Sequence, residues 1–236
     1  MAIAADIVYP ARCMSCEIYT DAPHGLCPAC WVQTSFIAGT ACHSCGSPLP
    51  GEGSDLLCDS CLSFPPAWNR GAAAVQYDAG GRKMVLALKH GDRLDLAPAL
   101  AGWMLNPARD LLKRADIIAP VPLHRWRLLK RKFNQSAELS RHLARQSGNL
   151  NIPDLLLRQR HTPSQDGLNR VERMENQRGA FVMSKRHHAK VAQKSVLLVD
   201  DVMTTGATLS ACAETLFAAG AENVDVCVLA RVERGG

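Results

Sequence analysis

The chain has 236 residues, enough for one medium-sized domain and a small one. Apolar residues make up 47% of it and the net charge is +5, so a hydrophobic core is available, and an anionic partner is permitted but not required. No apolar run approaches the length of a membrane span, and residues 1–10 lack the basic start and the length of a signal peptide. We therefore expect a soluble, cytosolic protein without membrane insertion.

Cysteines dominate the first quarter of the chain, where eight of the ten lie in four C-x-x-C pairs. The pairs are Cys13 and Cys16, Cys27 and Cys30, Cys42 and Cys45, and Cys58 and Cys61. Each pair can direct two thiolates at one metal ion, and two pairs complete a tetrahedral zinc site. In a cytosolic protein this pattern favours metal over disulfides, and four near-evenly spaced copies fit a repeat better than a catalytic dithiol.

The simplest assembly is two successive zinc ribbons, over residues 13–30 and 42–61, although spacing alone also permits an interleaved pairing. Four thiolates leave no open coordination position, so we interpret both zinc sites as structural. Few apolar residues surround the cysteines, and the metal must therefore supply most of the folding free energy. His24 and His43 are alternative ligands in principle, but eight thiolates already complete two sites.

A linker, F-P-P at residues 64–66, indicates where the zinc ribbons end. We predict a double zinc-ribbon domain over residues 1–66 and a second domain over residues 67–236. The second domain opens with a predicted strand at 72–77, a turn at Gly80 and Gly81, and a short helix at 82–89. Asp95 is the predicted cap of a further helix that stops near Pro107.

A basic segment follows the next predicted strand, residues 116–121. Five Arg or Lys residues lie between residues 125 and 132, and F-N-Q-S at residues 133–136 then opens a helix. A basic segment between a strand end and a helix start is suited to a second anion site in an α/β sheet. The alternative is a solvated basic face.

The residues from 158 to 181 are polar, basic and weakly periodic, with Pro163 and Gly167 among them. A long polar segment between strands of a compact domain is usually a functional loop, and disorder is the alternative. Strands are predicted at 179–183 and at 223–232. Cys212 and Cys227 lie in apolar patterns and are predicted to fill the core.

The most informative stretch is residues 196–209, V-L-L-V-D-D-V-M-T-T-G-A-T-L. Its first four residues predict a buried parallel strand, and a helix with Gly220 at its C-cap follows. A loop between a strand and a helix N-terminus suits phosphate, and we interpret Gly206 as permitting close backbone approach. The acids Asp200 and Asp201 instead fit the hydroxyls of a sugar or a bridging Mg²⁺. The pattern therefore indicates a sugar phosphate.

Two other interpretations of this stretch are weaker. A buried strand that ends in a solvated turn does not account for the Thr-Thr-Gly-Ala-Thr that follows. The acidic strand of a P-loop nucleotidase needs a G-x-x-x-x-G-K-[ST] partner, and the chain contains no Gly-Lys dipeptide.

The stretch closely resembles the phosphoribosyl pyrophosphate (PRPP) motif of type I phosphoribosyltransferases, a hydrophobic strand followed by two acids and T-T-G-x-T. This resemblance implies that Asp200 and Asp201 hold the ribose hydroxyls. It also implies that the loop wraps the 5′-phosphate with Thr204, Thr205, Gly206, Ala207 and Thr208.

Nearly the whole chain resembles the ComF family, bacterial proteins associated with competence and DNA uptake and also described as DNA-utilisation proteins. Beside the cysteine pairs and Val199-Asp200-Asp201-x-x-Thr204-Thr205-Gly206, the resemblance rests on Lys89-x-Gly91-Asp92, Pro120-Val121-Pro122-Leu123, Phe133-Asn134-Gln135, Thr162-x-x-Gln165 and Arg173-x-x-Asn176. One position departs from the family, which usually has R-G-F-N-Q, because Lys132 replaces the glycine.

The resemblance implies an α/β fold, a type I phosphoribosyltransferase-like parallel sheet flanked by helices and preceded by a small double zinc ribbon. PRPP with Mg²⁺ would lie across the C-terminal strand ends, with Asp200 and Asp201 in the catalytic site. Arg125 and Arg131 would stabilise the departing pyrophosphate, and the 158–178 loop would exclude water as a lid.

Several functions are consistent with this resemblance. The first is a phosphoribosyltransferase associated with DNA uptake, with an acceptor that the sequence does not identify. The second is a single-stranded DNA-binding competence module with a vestigial or sensory PRPP site, and the third is a nucleobase salvage enzyme. The partners implied are PRPP, single-stranded DNA and proteins of the DNA-uptake machinery.

Overall fold

A parallel sheet forms the centre of this protein, which we describe from a computed structural model. The residues described are 10–21, 23–90, 93–125, 128–129, 132–160 and 169–233, with the backbone alone for His90 and Arg170. The strands in this part of the chain are β1 (Gly71–Gln76), β2 (Ile117–Pro120), β3 (Leu150–Asn151), β4 (Leu156–Arg158), β5 (Phe181–Met183), β6 (Ser195–Met203) and β7 (Asn223–Arg231). The sheet has the order β1–β7–β6–β2–β3 with every neighbouring pair parallel, while β4 and β5 form a separate antiparallel pair.

Helices cover both faces of the sheet. They are α1 (Pro28–Val32), α2 (Asp59–Ser63), α3 (Ala79–His90), α4 (Ala97–Leu105), α5 (Arg109–Arg114), α6 (Gln135–Ser147), α7 (Arg170–Gln177) and α8 (Ala207–Ala218), with short 3₁₀ helices at Leu94–Leu96 and Lys185–Lys190. Leu197 and Val199 of β6 pack into a core with α3 to α6. Val196 and Leu198 face the opposite core with α8. Residues 196–199 of β6 are buried on both faces and form a continuous apolar run, as predicted, and the strand continues through both acids to Met203.

The segment between the two zinc ribbons covers the free edge of β1. Phe36 forms an antiparallel bridge with Val75, the amide of Ile37 donates to the Ala74 carbonyl at 2.9 Å, and the amide of Gln76 donates to the Ser35 carbonyl at 2.8 Å. An uncovered edge strand is open to pairing with another chain. The segment between the ribbons therefore protects this edge of the sheet.

The α/β fold and the order of its main elements are confirmed, but two local predictions are wrong. Gly80 and Gly81 lie in the first turn of α3 and not in a separate turn, because Asp78 accepts the Gly81 amide at 2.8 Å and the Gly80 amide donates to the Gln33 carbonyl at 2.9 Å. Asp95 does not cap α4. Its carboxylate accepts from Arg93 at 2.9 Å inside the 3₁₀ turn that precedes the helix.

Two further features bear on the predictions. Cys212 and Cys227 are fully buried, as predicted, and burial raises the pKa of Cys227 to about 12. Among the described residues, no helix is both long enough and apolar enough to cross a membrane.

The eight N-terminal cysteines gather into two groups of four. Cys13, Cys16, Cys27 and Cys30 form the first cluster and Cys42, Cys45, Cys58 and Cys61 the second, and in each group the sulfur atoms lie within 4.8 Å of one another. The ribbons are therefore successive and not interleaved. His24 and His43 lie outside both clusters.

The geometry of each cluster fits a structural zinc ion. The Cys16 and Cys27 sulfurs are 3.6 Å apart and those of Cys45 and Cys58 are 3.7 Å apart, far longer than a disulfide bond. A tetrahedron with Zn–S bonds of about 2.3 Å places its sulfurs about 3.8 Å apart. Backbone amides also donate to the thiol sulfurs of Cys13 and Cys42, each at 3.3 Å, which supports the thiolate form that binds zinc.

We predict that metal analysis of the purified protein finds about two zinc ions per chain. Cys27→Ala should release one of them, whereas Cys212→Ala, in the distal core, should release none. Four disulfides in the protein isolated from a reducing cytosol would contradict this account, and a single zinc ion in the wild type would remove one of the two sites.

Candidate functional site

A cavity of about 320 Å³ opens where β6 ends and α8 begins. The residues that line it are an acid, a basic residue and members of the hydroxyl-bearing loop, and they include Lys89, Asp200, Thr204, Gly206 and Thr208. The carboxyl ends of parallel strands are where α/β sheets bind ligands. The sequence-predicted loop and one of the predicted acids therefore face the same space.

Asp200 lies within β6 and is held by two donors. The Ser136 hydroxyl, at the start of α6, donates to its Oδ1 at 2.8 Å, and the Asp201 amide donates to the same oxygen at 2.9 Å. Burial, followed by the neighbouring charge of Asp201, raises the pKa of Asp200 to about 7. The group therefore titrates near neutral pH, where a nearby cation would favour its ionised form.

Asp201 has a cationic partner from another part of the fold. Its Oδ2 lies 3.2 Å from the Nζ atom of Lys89, which α3 brings to the cavity, and both side chains are largely buried. The ammonium group of Lys89 thus balances the negative charge of Asp201, while Asp201 Oδ1 takes no part in this ion pair. Two adjacent carboxylates at the end of one strand are thus compatible with folding.

The loop after β6 turns sharply into α8. Gly206 has a φ of +80°, in the left-handed region, and is the N-cap of α8. The Ala207 amide donates to the Thr205 hydroxyl at 3.3 Å, and Arg173 of α7 donates to the Thr204 hydroxyl at 3.1 Å. The first amides of a helix have no intrahelical acceptor and carry the positive end of its dipole, so the loop can accept an anion.

The structure shows a second reason for glycine at position 206, which the sequence did not indicate. A Cβ atom placed on it would lie 2.6 Å from the indole of Trp68, which packs against the loop. The close approach that we attributed to phosphate alone is therefore made by an aromatic ring of the linker region. The positive φ independently favours glycine at this position.

The basic segment after β2 lies only partly within the described residues. Arg125 is exposed just beyond β2, whereas Trp126 and Arg131 lie outside the described residues. Asn134 fixes the far end of the segment, because its amide donates to the Val121 carbonyl at 3.0 Å and its Oδ1 caps α6. Lys132 has a φ of +66°, so this position does adopt the conformation that the family's glycine favours.

The predicted lid is also described in part, with residues 161–168 outside. Its second half is α7, which begins with a capping box formed by Asn169 and Glu172. Arg160 donates to the carbonyls of Asn176 and Arg178 at 2.9 and 2.7 Å. Together with the contact of Arg173 on Thr204, this places the C-terminal half of the predicted lid beside the loop.

Sequence reasoning missed several residues that shape the site. Lys89 and Arg173 belong to motifs that carried the family resemblance, but their partners in the site were not predicted. Ser136 was interpreted only as a helix start. The buried Arg231 donates to the carbonyls of Met203 and Thr204 at 3.2 and 2.8 Å, and its position in an apolar strand was the one available signal.

Comparison with known proteins agrees with this architecture. The chain matches the family description "Double zinc ribbon domain" over residues 4–62 and "Phosphoribosyl transferase domain" over residues 135–236. It is 30% identical to Competence protein F of Haemophilus influenzae, over 93% of this chain and 96% of that protein. It is 32% identical to DNA utilization protein YhgH of Shigella flexneri, over 95% of this chain and 99% of that protein.

A solved structure, titled as the allosteric regulatory enzyme of purine biosynthesis, matches with 20% identity and a TM-score of 0.40. The match covers 61% of this chain and 30% of that one. A likeness of this extent carries no argument about activity.

The raised pKa of Asp200 predicts a pH-dependent stability. Because the folded-state pKa of about 7 lies above the ordinary value of 3.8, the folded state binds more protons than the unfolded state between about pH 4 and pH 7. The contribution of Asp200 to stability is therefore greatest below pH 4 and is lost as pH rises through 7. Asp200→Asn should raise the melting temperature at pH 8 by several degrees, because each kcal/mol of stability corresponds to about 2–4 °C in a chain of this length. At pH 4 the same substitution should change the melting temperature little.

Thermal denaturation across pH 4–8 measures this difference, and Asp110→Asn provides the control. Asp110 is exposed and its pKa is lowered by Lys113, so its titration falls below the pH range tested. A melting-temperature difference for Asp200→Asn that does not grow with pH would contradict the assigned titration.

Proposed function

Since the chain belongs to the family of Competence protein F and DNA utilization protein YhgH, we propose that it binds PRPP with Mg²⁺ and serves DNA uptake or utilisation. The observation that carries this proposal is the cavity at the β6–α8 junction. There Asp200, an acid suited to ribose hydroxyls, and a helix N-terminus suited to phosphate line the same space, and Asp201 lies next to it on Lys89, which also lines the cavity. Neither feature alone distinguishes a sugar phosphate from a simpler anion.

The 5′-phosphate is proposed to lie on the loop of residues 204–208. The amides at the start of α8 and the hydroxyls of Thr204, Thr205 and Thr208 supply donors, and the helix dipole favours the negative charge. The position of Thr204 is supported by the hydrogen bond from Arg173. The guanidinium of Arg173 also adds positive charge beside the proposed phosphate.

The ribose hydroxyls are proposed to donate to Asp200 and Asp201. Lys89 keeps the charge of Asp201 balanced before and after binding, and Ser136 orients Asp200. Magnesium, when bound with PRPP, supplies charge neutralisation for the pyrophosphate and favours ionised carboxylates near it. Because Asp200 titrates near pH 7, we expect binding to release a fraction of a proton at neutral pH.

Transfer requires that the bond between the ribose C1 and pyrophosphate break while an acceptor forms a new bond to C1. The pyrophosphate is proposed to leave toward the segment after β2, where Arg125 and Arg131 supply positive charge. The lid formed by residues 158–178 is proposed to exclude water during this step. These roles make the protein a phosphoribosyltransferase whose acceptor is not identified.

A second candidate function is a single-stranded DNA-binding module that retains the PRPP site as a sensor. The observation that favours it is the concentration of five basic residues and Trp126 between residues 125 and 132. Arginine and lysine follow a phosphate backbone, while an aromatic ring stacks on unpaired bases. Nucleobase salvage is the weaker alternative, since such an enzyme has no need of zinc ribbons.

The PRPP proposal predicts a specific loss on Asp201→Asn. The substitution keeps the side-chain volume but removes the charge that a ribose hydroxyl and Lys89 share. Affinity for PRPP·Mg²⁺, measured by calorimetry, should fall by roughly 1–3 kcal/mol, the typical value of a hydrogen bond to a charged group. The circular dichroism of the protein should not change.

Asp116→Asn is the matched control, because Asp116 accepts from Ser195 and Lys194 at the amino end of β6, far along the strand from the cavity. It should leave PRPP affinity at the wild-type value. If wild-type protein shows no saturable binding of PRPP·Mg²⁺, the sugar-phosphate proposal fails. Unchanged affinity in Asp201→Asn would assign the acidic pair a purely structural role.

The DNA proposal predicts a salt-dependent loss on combining Arg125→Ala with Arg131→Ala. Affinity for a single-stranded oligonucleotide should fall, and the slope of log K against log salt should flatten by about 0.7 for each DNA phosphate that the arginines no longer neutralise. Trp126→Ala should weaken binding with little change in slope, because stacking releases few counterions. Fluorescence anisotropy across a salt series measures both effects.

Arg141→Ala combined with Arg145→Ala removes the same charge from the exposed face of α6 and should leave the slope nearly unchanged. Equal losses in the two double variants would indicate a general charge effect instead of a site. Wild-type affinity in the Arg125 and Arg131 double variant would remove this segment as the DNA site and make the zinc ribbons the next candidate.

A further inference from the structure

Trp68, just after the second zinc ribbon, lies between that ribbon and the candidate phosphate loop. Trp68 is 6% exposed. Its Nε1 atom donates to the Ser44 carbonyl at 2.6 Å, and Ser44 lies between Cys42 and Cys45 in the metal-binding turn. The opposite end of the same indole packs against Gly206. One rigid ring therefore connects a metal cluster to the N-cap of α8.

The metal-binding turn of the second ribbon is itself fixed to the sheet. A Cβ atom on Gly46 would lie 2.5 Å from the backbone nitrogen of Ala73, and one on Gly71 would collide with the Ser44 carbonyl. The Gly71 amide donates to the His43 carbonyl at 2.9 Å. The turn that carries the Trp68 acceptor is thus packed closely against β1.

In the described part of the chain, the cysteines of the first ribbon pack differently. Its buried cysteines, Cys13, Cys27 and Cys30, form a small apolar cluster of their own with Leu26. In contrast, Cys42, Cys45 and Cys61 belong to the same core cluster as Trp68 and as Met203 and Leu209, which flank the loop. The first ribbon instead reaches the core on the other face of the sheet, through Met14 and Leu26, whereas the second cluster joins the core that contains Met203 and Leu209.

We propose that Trp68 is a positioning residue through which the second Cys₄ cluster, and not the first, sets the conformation of the 204–208 loop. Metal binding supplies the folding free energy of a zinc ribbon, so loss of metal from the second cluster releases the Ser44 carbonyl that holds the indole. The indole then no longer confines Gly206, whose backbone has wide conformational freedom. The ligand consequence rests on the proposed binding of PRPP, whereas the positioning itself does not.

The test compares Cys58→Ser with Cys16→Ser, because each removes the most exposed thiol of its cluster. Each variant should bind one zinc ion less than the wild type. In Cys58→Ser, the amide resonances of Thr205 and Gly206 in ¹H–¹⁵N NMR spectra without ligand should shift or broaden, and affinity for PRPP·Mg²⁺ should fall about tenfold, the effect of removing one hydrogen bond to a charged ligand. In Cys16→Ser, the resonances and the affinity should match the wild type.

A second pair of variants tests the ring without disturbing the metal. Trp68→Phe removes both the Nε1 donor and the outer ring atoms that meet Gly206, while Trp103→Phe alters an indole that instead packs edge-on against Phe36. Both should keep two zinc ions per chain. Trp68→Phe alone should speed hydrogen exchange of the Gly206 amide, which the loss of the indole ring current does not affect, and should weaken PRPP binding.

The outcomes separate this proposal from the proposed function. If the wild type does not bind PRPP, the proposed function fails, and hydrogen exchange of the Gly206 amide still decides whether Trp68 positions the loop. Unchanged hydrogen exchange of the Gly206 amide in Trp68→Phe overturns the positioning role, even if Cys58→Ser fails to fold. Equal shifts in Cys16→Ser and Cys58→Ser would show that zinc acts on general stability and would also overturn it.

Discussion

The turn from β6 into α8 is the constraint on which the rest of this structure depends. A strand buried on both faces must present two acids at its end, and the chain must then reach a helix N-terminus within a few residues. Gly206 makes this possible with a φ of +80°. Each acid needs compensation, because adjacent carboxylates in a partly buried site repel one another, and this repulsion adds to burial in raising the pKa of Asp200 to about 7.

Elements from distant parts of the chain stabilise the two acids and support the loop that follows them. Lys89 of α3 pairs with Asp201, Ser136 of α6 donates to Asp200, and Arg173 of α7 reaches Thr204. The zinc ribbons add a fourth support, since Trp68 joins the second ribbon to Gly206. The small metal domain and the α/β domain are thus parts of one arrangement around the loop, although the boundary predicted at residue 66 stays a prediction.

Local features of this fold were predictable from the sequence because their signals are local. The apolar run of β6, the helix period after it and the C-x-x-C spacing each reflect contacts within a few residues or the demands of one metal ion. The partners of those features were not predictable. The contact of Trp68 with Gly206 joins residues far apart in sequence, and the helical start at Gly80 depends on the distant carbonyl of Gln33. Such contacts are set by tertiary packing, which no single-residue propensity encodes.

The most direct test of the central claim is a crystal structure of the zinc-loaded protein with PRPP·Mg²⁺. We expect the 5′-phosphate within hydrogen-bonding distance of the amides and hydroxyls of residues 204–208, with the ribose hydroxyls on Asp200 and Asp201. Lys89 should remain paired with Asp201. A ligand bound elsewhere on the protein, or a cavity without ligand at concentrations that saturate binding in solution, would contradict it.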